Sequence, residues 1–382
     1  MSRSPGTPRL LRRLNDRSAL ELLLEDGPLT RAELGERTGL SKVTAGQLLA
    51  RLEERGLVEV AGERAGGRGP HAALYAVVPS SAYVAGVEVL PESLTVGVAD
   101  ITGTMVTEVT VNLSDGREPV AAVHSAVRRA CKSAGVDRSR LRSFVIGTRG
   151  VVDPASGDVR FSYDLPAWHF GVLASLRETL GVPVTIENDV NLVALAESRH
   201  GAAVGVEDFV VLWAGVGQGL GVMLGGRLHR GTSGGAGEIG WLPVPGEPLP
   251  ADVSQPQSGS FQRLVGHEAL SGLAAAHGVP GETVADQVRS GGEAYLDEIA
   301  ARLALGAAAV TVVLDPGLIV LSGAIGRAGG PRLAAKVEEA VARVCPSRPT
   351  VVVTGVAGNP ILRGALVAAL DQAREQVFSD TV

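Results

Sequence analysis

The sequence of 382 residues has little cysteine, few aromatic residues and no collagen-like repeat. Two cysteines, Cys131 and Cys345, are too few for a disulfide framework or a cysteine-rich zinc site. Aromatic residues are limited to 3 Trp, 4 Tyr and 6 Phe, and the 50 glycines follow no three-residue period. What remains is a globular protein of a reducing compartment, with 45% hydrophobic residues to build a large core.

Long apolar runs are missing as well. Residues 1–20 carry five arginines but no apolar segment, which argues against a signal peptide. The longest uncharged run, 209–226, holds six glycines and predicts strand, turn and strand rather than a membrane helix. We therefore expect a cytoplasmic protein without a membrane partner.

Charge is distributed unevenly along the chain. Residues 1–78 contain 12 basic and 10 acidic residues, a net charge of +2. Since the whole chain has a net charge of −6, residues 79–382 carry a net charge of −8. A mildly basic N-terminal part joined to an acidic body suggests a module that faces a polyanion.

The N-terminal part has the pattern of a winged helix-turn-helix. A capping box, Thr30 to Glu33, opens a helix that Gly39 ends, and Ser41 then caps the next helix. A Gly/Arg loop between two short β-like runs follows, as in a wing. The predicted elements are helices over 18–25, 31–37 and 42–55 and strands over 57–60 and 74–78.

The third predicted helix would enter the major groove of DNA. Its apolar positions recur at helical spacing, which leaves polar side chains to face outward. Lysine and arginine suit phosphate or guanine, glutamine suits adenine, threonine suits phosphate or a thymine methyl, and wing arginines suit a minor groove. The candidates are Ser41, Lys42, Thr44, Gln47, Arg51, Arg64 and Arg68. A packing or dimerisation module remains the alternative.

The body predicts an α/β fold that occurs twice. Three β-like runs over 83–111 precede alternating helices and strands, and the same succession restarts after Gly201. Such a pair binds its ligand between the two halves. We expect a DNA-binding domain over 1–80, a first lobe over 81–200 and a second lobe over 201–382, with a C-terminal helix able to pack back on the first lobe.

Together, these motifs resemble the ROK family of sugar-responsive regulators and sugar kinases. The resemblance extends from about Leu14 to Leu370 and includes the winged helix that family regulators carry. It implies a two-lobed actin/ribonuclease H-like ATPase fold around a sugar cleft. The matching segments are NDRSALELLLEDGPLTRAELGERTGLSKVT, GVVD (150–153), ENDVNLVALAE (187–197), GRLHRGTSGGAGEIG (226–240) and LDPGLIVLSGAIG (314–326).

The resemblance implies roles for individual residues. Asn188 and Asp189 would hydrogen-bond sugar hydroxyls, and Asp189 occupies the position of the kinases' catalytic base. Glu238 lies in a second ligand-contacting loop, and Glu268 would follow the family's cysteine cluster. Helix N-capping by Asn188 and Asp189, and loop bracing by Glu238, remain open as alternatives.

The sequence departs from the family pattern at three places. The nucleotide loop Asp-x-Gly-Gly-Thr is replaced by 88–93, where Pro91 lacks an N–H and Glu92 adds negative charge near phosphate. Trp241 replaces a zinc-binding histidine, and 242–265 contain no Cys or His. Arg149 lies in the sugar loop, where it would favour an anionic ligand or form a surface salt bridge, and Trp241 would pack the loop or stack on a sugar.

We therefore predict a DNA-binding regulator, in particular a repressor, that lacks kinase activity, cofactor and metal. Its partners would be an operator with an inverted repeat and a small effector such as a sugar, bound by a homodimer or a dimer of dimers. One alternative is a regulator whose body is a ligand-independent dimerisation scaffold or senses a non-sugar ligand. The other is an ATP-dependent sugar kinase.

Overall fold

The computed structural model describes residues 8–64, 71–113, 118–162, 165, 168, 171–250, 252–253 and 258–379. Within these ranges the chain forms a small N-terminal domain and a body of two lobes. No helix in the described ranges is both long and apolar enough to cross a membrane.

The N-terminal domain is the predicted winged helix-turn-helix. Its strands form an antiparallel sheet in the order β1-β3-β2. The elements are α1 (Pro8–Glu25), β1 (Leu29–Thr30), α2 (Arg31–Thr38), α3 (Lys42–Glu54), β2 (Val58–Arg64) and β3 (Ala72–Val77).

Local signals place the helices of this domain. The Thr30 hydroxyl accepts from the Glu33 N–H at 3.3 Å, and the Glu33 carboxylate accepts from the Thr30 N–H at 2.9 Å, which confirms the capping box. Helix α2 ends at Gly39 with φ 70°, and the Ser41 hydroxyl accepts from the Thr44 N–H at 3.2 Å. Both ends of the turn therefore lie where the sequence predicted them.

Helix α1 is longer than predicted. It begins at Pro8 rather than at Ser18, and its first two turns are exposed. Arginine and leucine, the main residues of these turns, have high helix propensity, and Arg17 pairs with Glu21 one turn later at 2.7 Å. The prediction relied on burial and so missed a helix segment that is not buried.

Each lobe contains a sheet with the same strand order. The first lobe orders its strands β6-β5-β4-β7-β10 and the second β13-β12-β11-β14-β15, with antiparallel pairs followed by parallel ones. This correspondence confirms the predicted duplication. The first lobe has β4 (Tyr83–Leu90), β5 (Ser93–Asp100), β6 (Met105–Asn112), α4 (Pro119–Ala134), β7 (Leu141–Thr148), β8 (Val151–Val152), β9 (Val159–Phe161), α5 (Val172–Leu180), β10 (Val184–Asn188) and α6 (Asp189–His200).

The second lobe adds a group of short helices beside its sheet. Sequence analysis did not predict α7, α8 and α9, because none exceeds ten residues and glycines interrupt their pattern. The elements are β11 (Phe209–Ala214), β12 (Gln218–Leu224), β13 (Arg227–Leu228), α7 (Ser260–Val265), α8 (His267–Ala276), α9 (Val284–Ser290), α10 (Glu293–Leu314), β14 (Leu318–Ser322), α11 (Gly323–Val344), β15 (Thr350–Val353) and α12 (Pro360–Ser379).

The last helix, α12, packs back against the first lobe. It contacts β4, β7 and α6 of the first lobe and also α1 of the N-terminal domain. Leu20 and Leu48 of the N-terminal domain share one buried apolar cluster with Val84 of the first sheet and Ala365 and Leu370 of α12. The N-terminal domain and the body are therefore joined by a continuous core rather than by a flexible linker.

Candidate functional site

The first turns of α3 present several predicted DNA-binding side chains to solvent. Four apolar residues of α3 face the core, namely Ala45, Leu48, Leu49 and Leu52. On the outer face, Lys42, Thr44 and Gln47 lie exposed. The hydroxyls of Ser41 and Thr44 are 2.9 Å apart and share a hydrogen bond. A cation, a hydroxyl and an amide are thus neighbours at the end of the helix that reads bases in winged helices.

Arg51 departs from the predicted outward position. Its guanidinium donates to the carboxylate of Asp16 in α1 at 2.6 Å, and the Asp16 side chain is only 1% exposed. A buried carboxylate needs a cationic partner, so Arg51 is drawn toward α1 instead of toward the outer face. One turn later, Arg55 donates to the carbonyl of Val377 in α12 at 2.8 Å, which ties α3 directly to the C-terminal helix.

The wing contributes one described arginine. Arg64 ends β2, is half exposed and forms an ion pair with Glu33 of α2. An exposed ion pair of this kind is weak, so Arg64 can leave Glu33 and bind a phosphate group instead. Arg68 lies outside the described residues.

A cavity of about 530 Å³ separates the two lobes. It is lined by Arg149, Asn188 and Asp189 of the first lobe and by Glu238 and Trp241 of the second, as predicted from motifs far apart in sequence. The arrangement is a cleft between halves, as expected for a duplicated α/β body.

Glu268 does not line this cavity. It lies exposed in the first turn of α8, which buries Leu270 and Leu273 on the opposite face. Because α8 must cover the second lobe's core with those leucines, helical periodicity turns Glu268 to solvent.

Asn188 is both an N-cap and a link to the neighbouring loop. Its side-chain oxygen accepts from the N–H groups of Val190 at 2.9 Å and Asn191 at 3.1 Å, which is the capping alternative left open above. Its side-chain nitrogen donates to the Gly150 carbonyl at 3.0 Å. These bonds hold the Asn188 amide in one orientation at the wall of the cleft.

The carboxyls in the cleft have elevated proton affinity. Burial raises the pKa of Asp189 to about 7, although the positive charge of Arg149 opposes that rise, and the charges of Glu238 and Glu88 add to it. Burial also raises the pKa of Glu238. Near neutral pH, Asp189 can therefore either accept a hydrogen bond from a ligand hydroxyl or donate one.

The second lobe contributes a glycine turn that two buried glutamines hold. The Gln262 side chain accepts from the Gln218 N–H at 3.0 Å and donates to the Val216 carbonyl at 2.8 Å. The Gln218 side chain donates to the Gly215 carbonyl at 3.1 Å. Sequence analysis missed these glutamines because neither belongs to a motif, and only their burial, at 8% and 7% exposure, marks them.

Aromatic side chains were also missed. Trp213, at the end of β11, and Phe161, at the end of β9, line the cavity together with Trp241. The whole chain has only 3 Trp, and two of them line this cleft. The rarity of tryptophan was therefore the sequence feature that marked Trp213 as a candidate. Their rings supply apolar faces of the kind on which sugar rings stack.

The residues present do not fit a nucleotide phosphate at the first hairpin. Strands β4 and β5 pair up to Leu90 and Ser93, and the two-residue loop between them is Pro91–Glu92. This loop offers no series of free backbone N–H groups, and its only charged side chain is negative.

The family's zinc site finds no support in the residues present either. Trp241 occupies the histidine position, and 242–265 contain no Cys or His. No group of three or more His, Cys, Asp and Glu that could hold a metal occurs in the part of the chain that the structure describes.

Both parts of the chain match models of known families. Residues 84–372 match the ROK family, and residues 14–69 match the MarR family. The chain is 25% identical over 247 residues to the DNA-binding transcriptional dual regulator NagC of Escherichia coli, which is 64% of this chain and 60% of NagC. It is 26% identical over 242 residues to the xylose repressor of Bacillus subtilis, 61% of each chain. The match spans about 60% of the length of these relatives.

Structure comparison agrees with this assignment. A ROK family transcriptional regulator described as a homolog of the Escherichia coli MLC protein superposes with a TM-score of 0.76, covering 97% of this chain and 100% of that one at 18% identity. The ROK hexokinase from Thermus thermophilus superposes with a TM-score of 0.62, covering 76% and 98% at 28% identity. Since the family match takes in both lobes and the cleft between them, this chain belongs to the ROK family.

Proposed function

We propose that this protein is a transcriptional repressor whose affinity for DNA is controlled by a sugar or sugar derivative in the interlobe cleft. The observation that carries the proposal is the union, in one chain, of a winged helix-turn-helix with a ROK body whose first hairpin offers no phosphate cradle. Relatives named as N-acetylglucosamine and xylose repressors support both the repressor role and the effector class. We place this activity in the cytoplasm and assign the protein no kinase reaction.

The DNA contact is assigned to α3 and the wing. Lys42, Thr44 and Gln47 supply phosphate and base contacts in the major groove, while Arg64 and Arg68 reach the backbone or a minor groove. A homodimer, or a dimer of dimers, would place two such helices in successive major grooves of an inverted repeat.

The effector contact is assigned to the cleft. Asn188, Asp189 and Glu238 offer hydrogen-bonding groups for hydroxyls, and the tryptophan rings offer apolar faces. Arg149 adds a positive charge that would favour a ligand bearing an anionic group.

A packed route connects the cleft with α3. Helix α6 begins at the cleft with Asp189, packs along α12, and α12 holds Arg55 at the end of α3 through the carbonyl of Val377. An effector that binds one arrangement of the lobes more tightly would shift the position of α3 through these helices.

DNA binding is the first test. Fragments from upstream of the gene and its neighbours would be titrated with the protein at about 50 and 200 mM salt, against random competitor DNA. We expect specific binding with a steep salt dependence. Gln47→Ala should cost about 1–3 kcal/mol on the specific fragment alone, and Lys42→Ala should weaken binding to every fragment.

The controls separate the alternatives. Glu54→Gln changes an exposed charge on the same helix and should preserve sequence preference. Equal affinity for specific and random DNA would overturn the assignment of α3. N-acetylglucosamine and D-xylose would then be tested for release of the bound fragment. Specific binding that no sugar or sugar phosphate releases would favour a ligand-independent scaffold or a non-sugar effector. Phosphate transfer from ATP to a hexose that Asp189→Asn abolishes would instead establish a sugar kinase.

A further inference from the structure

Two glutamates of the segment 187–197 are buried but do not belong to the cleft. Glu187 precedes α6 and is 6% exposed, and Glu197 lies in its last turns and is fully buried. Buried carboxylates are costly unless several donors compensate them, so their partners indicate what they hold in place.

The partners of Glu197 lie on the two segments through which the chain passes between lobes. The carboxylate accepts from the Ala202 N–H at 2.8 Å, on the segment that leads from α6 to β11. It also accepts from the Gly355 N–H at 3.2 Å and from the Thr354 hydroxyl, on the segment that leads from β15 to α12. One side chain therefore joins both crossings.

The two crossings approach each other through backbone atoms. A Cβ at Gly355 would lie 2.7 Å from the Ala202 nitrogen, and a Cβ at Gly201 would lie 1.9 Å from a Glu197 carboxylate oxygen. Because the crossings meet here at glycines rather than at large side chains, a rotation at this point requires little repacking.

Glu187 makes a different kind of contact near the other end of α6. It pairs with Arg230 of the second lobe at 2.7 Å, and the Arg230 side chain is 45% exposed. Glu187 also accepts from the backbone N–H of Asn188 and the side chain of Asn191, both at 2.9 Å. Since Arg230 is half in water, this pair can separate more readily than the bonds of Glu197.

We propose that Glu197 is the hinge of the two lobes and that the Glu187–Arg230 pair is the contact that breaks when they separate. The helical part of the segment between the two glutamates, 189–197, is roughly 12 Å long, so a rotation of about 10° at Glu197 displaces Arg230 by roughly 2 Å. That displacement breaks the ion pair and widens the cleft beside Asn188.

The hinge is tested by measuring the distance between the lobes in the full chain. Cysteines would replace the exposed Glu178 of α5 and Glu282 before α9 and would carry spin labels. Pulsed electron–electron double resonance then gives the distribution of distances between the two labels. The native Cys131 and Cys345 are 4% and 8% exposed, and a sample without the introduced cysteines measures their labelling.

Four variants test the hinge through the distance distribution, two of them expected to change it and two expected to leave it close to wild type. Glu197→Met removes every side-chain bond from residue 197 to the two crossings and should broaden the distribution. Glu197→Gln should stay close to wild type, since its oxygen can accept from both amides while its nitrogen donates to Thr354. Glu187→Gln should add a second, narrow population, and Glu207→Gln, an exposed control on the same crossing, should change nothing.

Amide exchange separates a hinge from a structural brace. In Glu197→Met, exchange at Ala202 and Gly355 should rise roughly 10- to 100-fold. Faster exchange with an unchanged distance distribution would overturn the hinge and leave a brace, and unchanged exchange would overturn the hydrogen bonds themselves. Should Glu197→Met fail to fold, Thr354→Val, which removes one donor at nearly constant volume, should broaden the distribution to a smaller extent, and an unchanged distribution would count against the hinge.

Discussion

The two lobes share a strand order but differ at the hairpin that joins their first two strands. In the first lobe, β4 and β5 pair up to Leu90 and Ser93, and Pro91–Glu92 closes the hairpin tightly. In the second lobe, the glycine turn between β11 and β12 stays open to the cleft and is held by Gln218 and Gln262.

This difference shows that duplicated topology does not carry duplicated chemistry. The first lobe supplies Asn188 and Asp189 to the cleft, while the second supplies a backbone turn and two tryptophans. A fold sets where loops meet, but the residues in the loops decide what is bound. The same two-lobed topology therefore accommodates one closed hairpin and one open glycine turn.

The largest effect is expected where first-lobe backbone is most tightly constrained. Gly150 has φ 97°, and a Cβ there would lie 1.9 Å from the Phe161 carbonyl oxygen. Gly150→Ala should lower the free energy of unfolding by about 4 kcal/mol or more. Gly217→Ala, in the open turn of the second lobe with no atom within 4 Å, should change it by less than about 1 kcal/mol. Urea denaturation measures both, and equal losses would contradict the contrast between the lobes.

The next effect is a pH dependence of the free energy of unfolding, which arises from Asp189 of the first lobe. Because the pKa of Asp189 is raised to about 7 by burial, the folded protein keeps this proton at pH values where the unfolded chain has lost it. The contribution of Asp189 to the free energy of unfolding therefore decreases as the pH rises from about 4 through 7.

Asp189→Asn removes this dependence. Relative to wild type, the variant should gain roughly 2–4 kcal/mol between pH 4 and pH 8, measured by urea denaturation at each pH. Glu268→Gln, at the exposed position on α8, should retain the wild-type pH profile. A parallel profile for Asp189→Asn would show that Asp189 titrates normally.

A smaller effect compares the two hairpins directly. Gln262→Ala leaves the buried Gln218 N–H and the Val216 carbonyl without their partner, and should cost about 2 kcal/mol. Glu92→Ala, in the closed hairpin of the first lobe, should cost less than about 0.5 kcal/mol. Chemical denaturation of the two variants measures both losses. A larger loss for Glu92→Ala than for Gln262→Ala would contradict the stabilisation of the second-lobe turn by its glutamines.

The smallest expected effect is that of nucleotide. With the first hairpin closed, millimolar MgATP should raise the free energy of unfolding by less than about 0.5 kcal/mol, which corresponds to a Kd no tighter than about 1 mM. Thermal unfolding with and without MgATP measures it. A concentration-dependent shift of several degrees would show that the second-lobe turn binds nucleotide by itself.

The elements predicted best are those with local signals. Thr30 with Glu33, Gly39 and Ser41 specify the ends of α2 and α3 within a few residues, and the buried residues of α3 recur at the helical spacing that the sequence showed. The exposed start of α1 and the short helices α7 to α9 lack such periodicity, so they were missed or shortened.

The site was predicted only in part. Motifs located Asn188, Asp189 and Glu238, because a resemblance to a family specifies individual positions. Gln218 and Gln262 were missed because their role depends on meeting each other across 44 residues of chain. Nothing in the local sequence of either glutamine indicates that contact.

By itself, the sequence determined the winged helix, the duplicated α/β body and the position of the cleft motifs, since caps, periodicity and motifs act over a few residues. Only the tertiary structure decided that Arg51 turns inward to Asp16, that Glu268 faces solvent and that Glu197 joins the two crossings between lobes. Each of these outcomes depends on which distant groups are buried together. A buried charge takes the nearest partner that the fold supplies, whatever its separation along the chain.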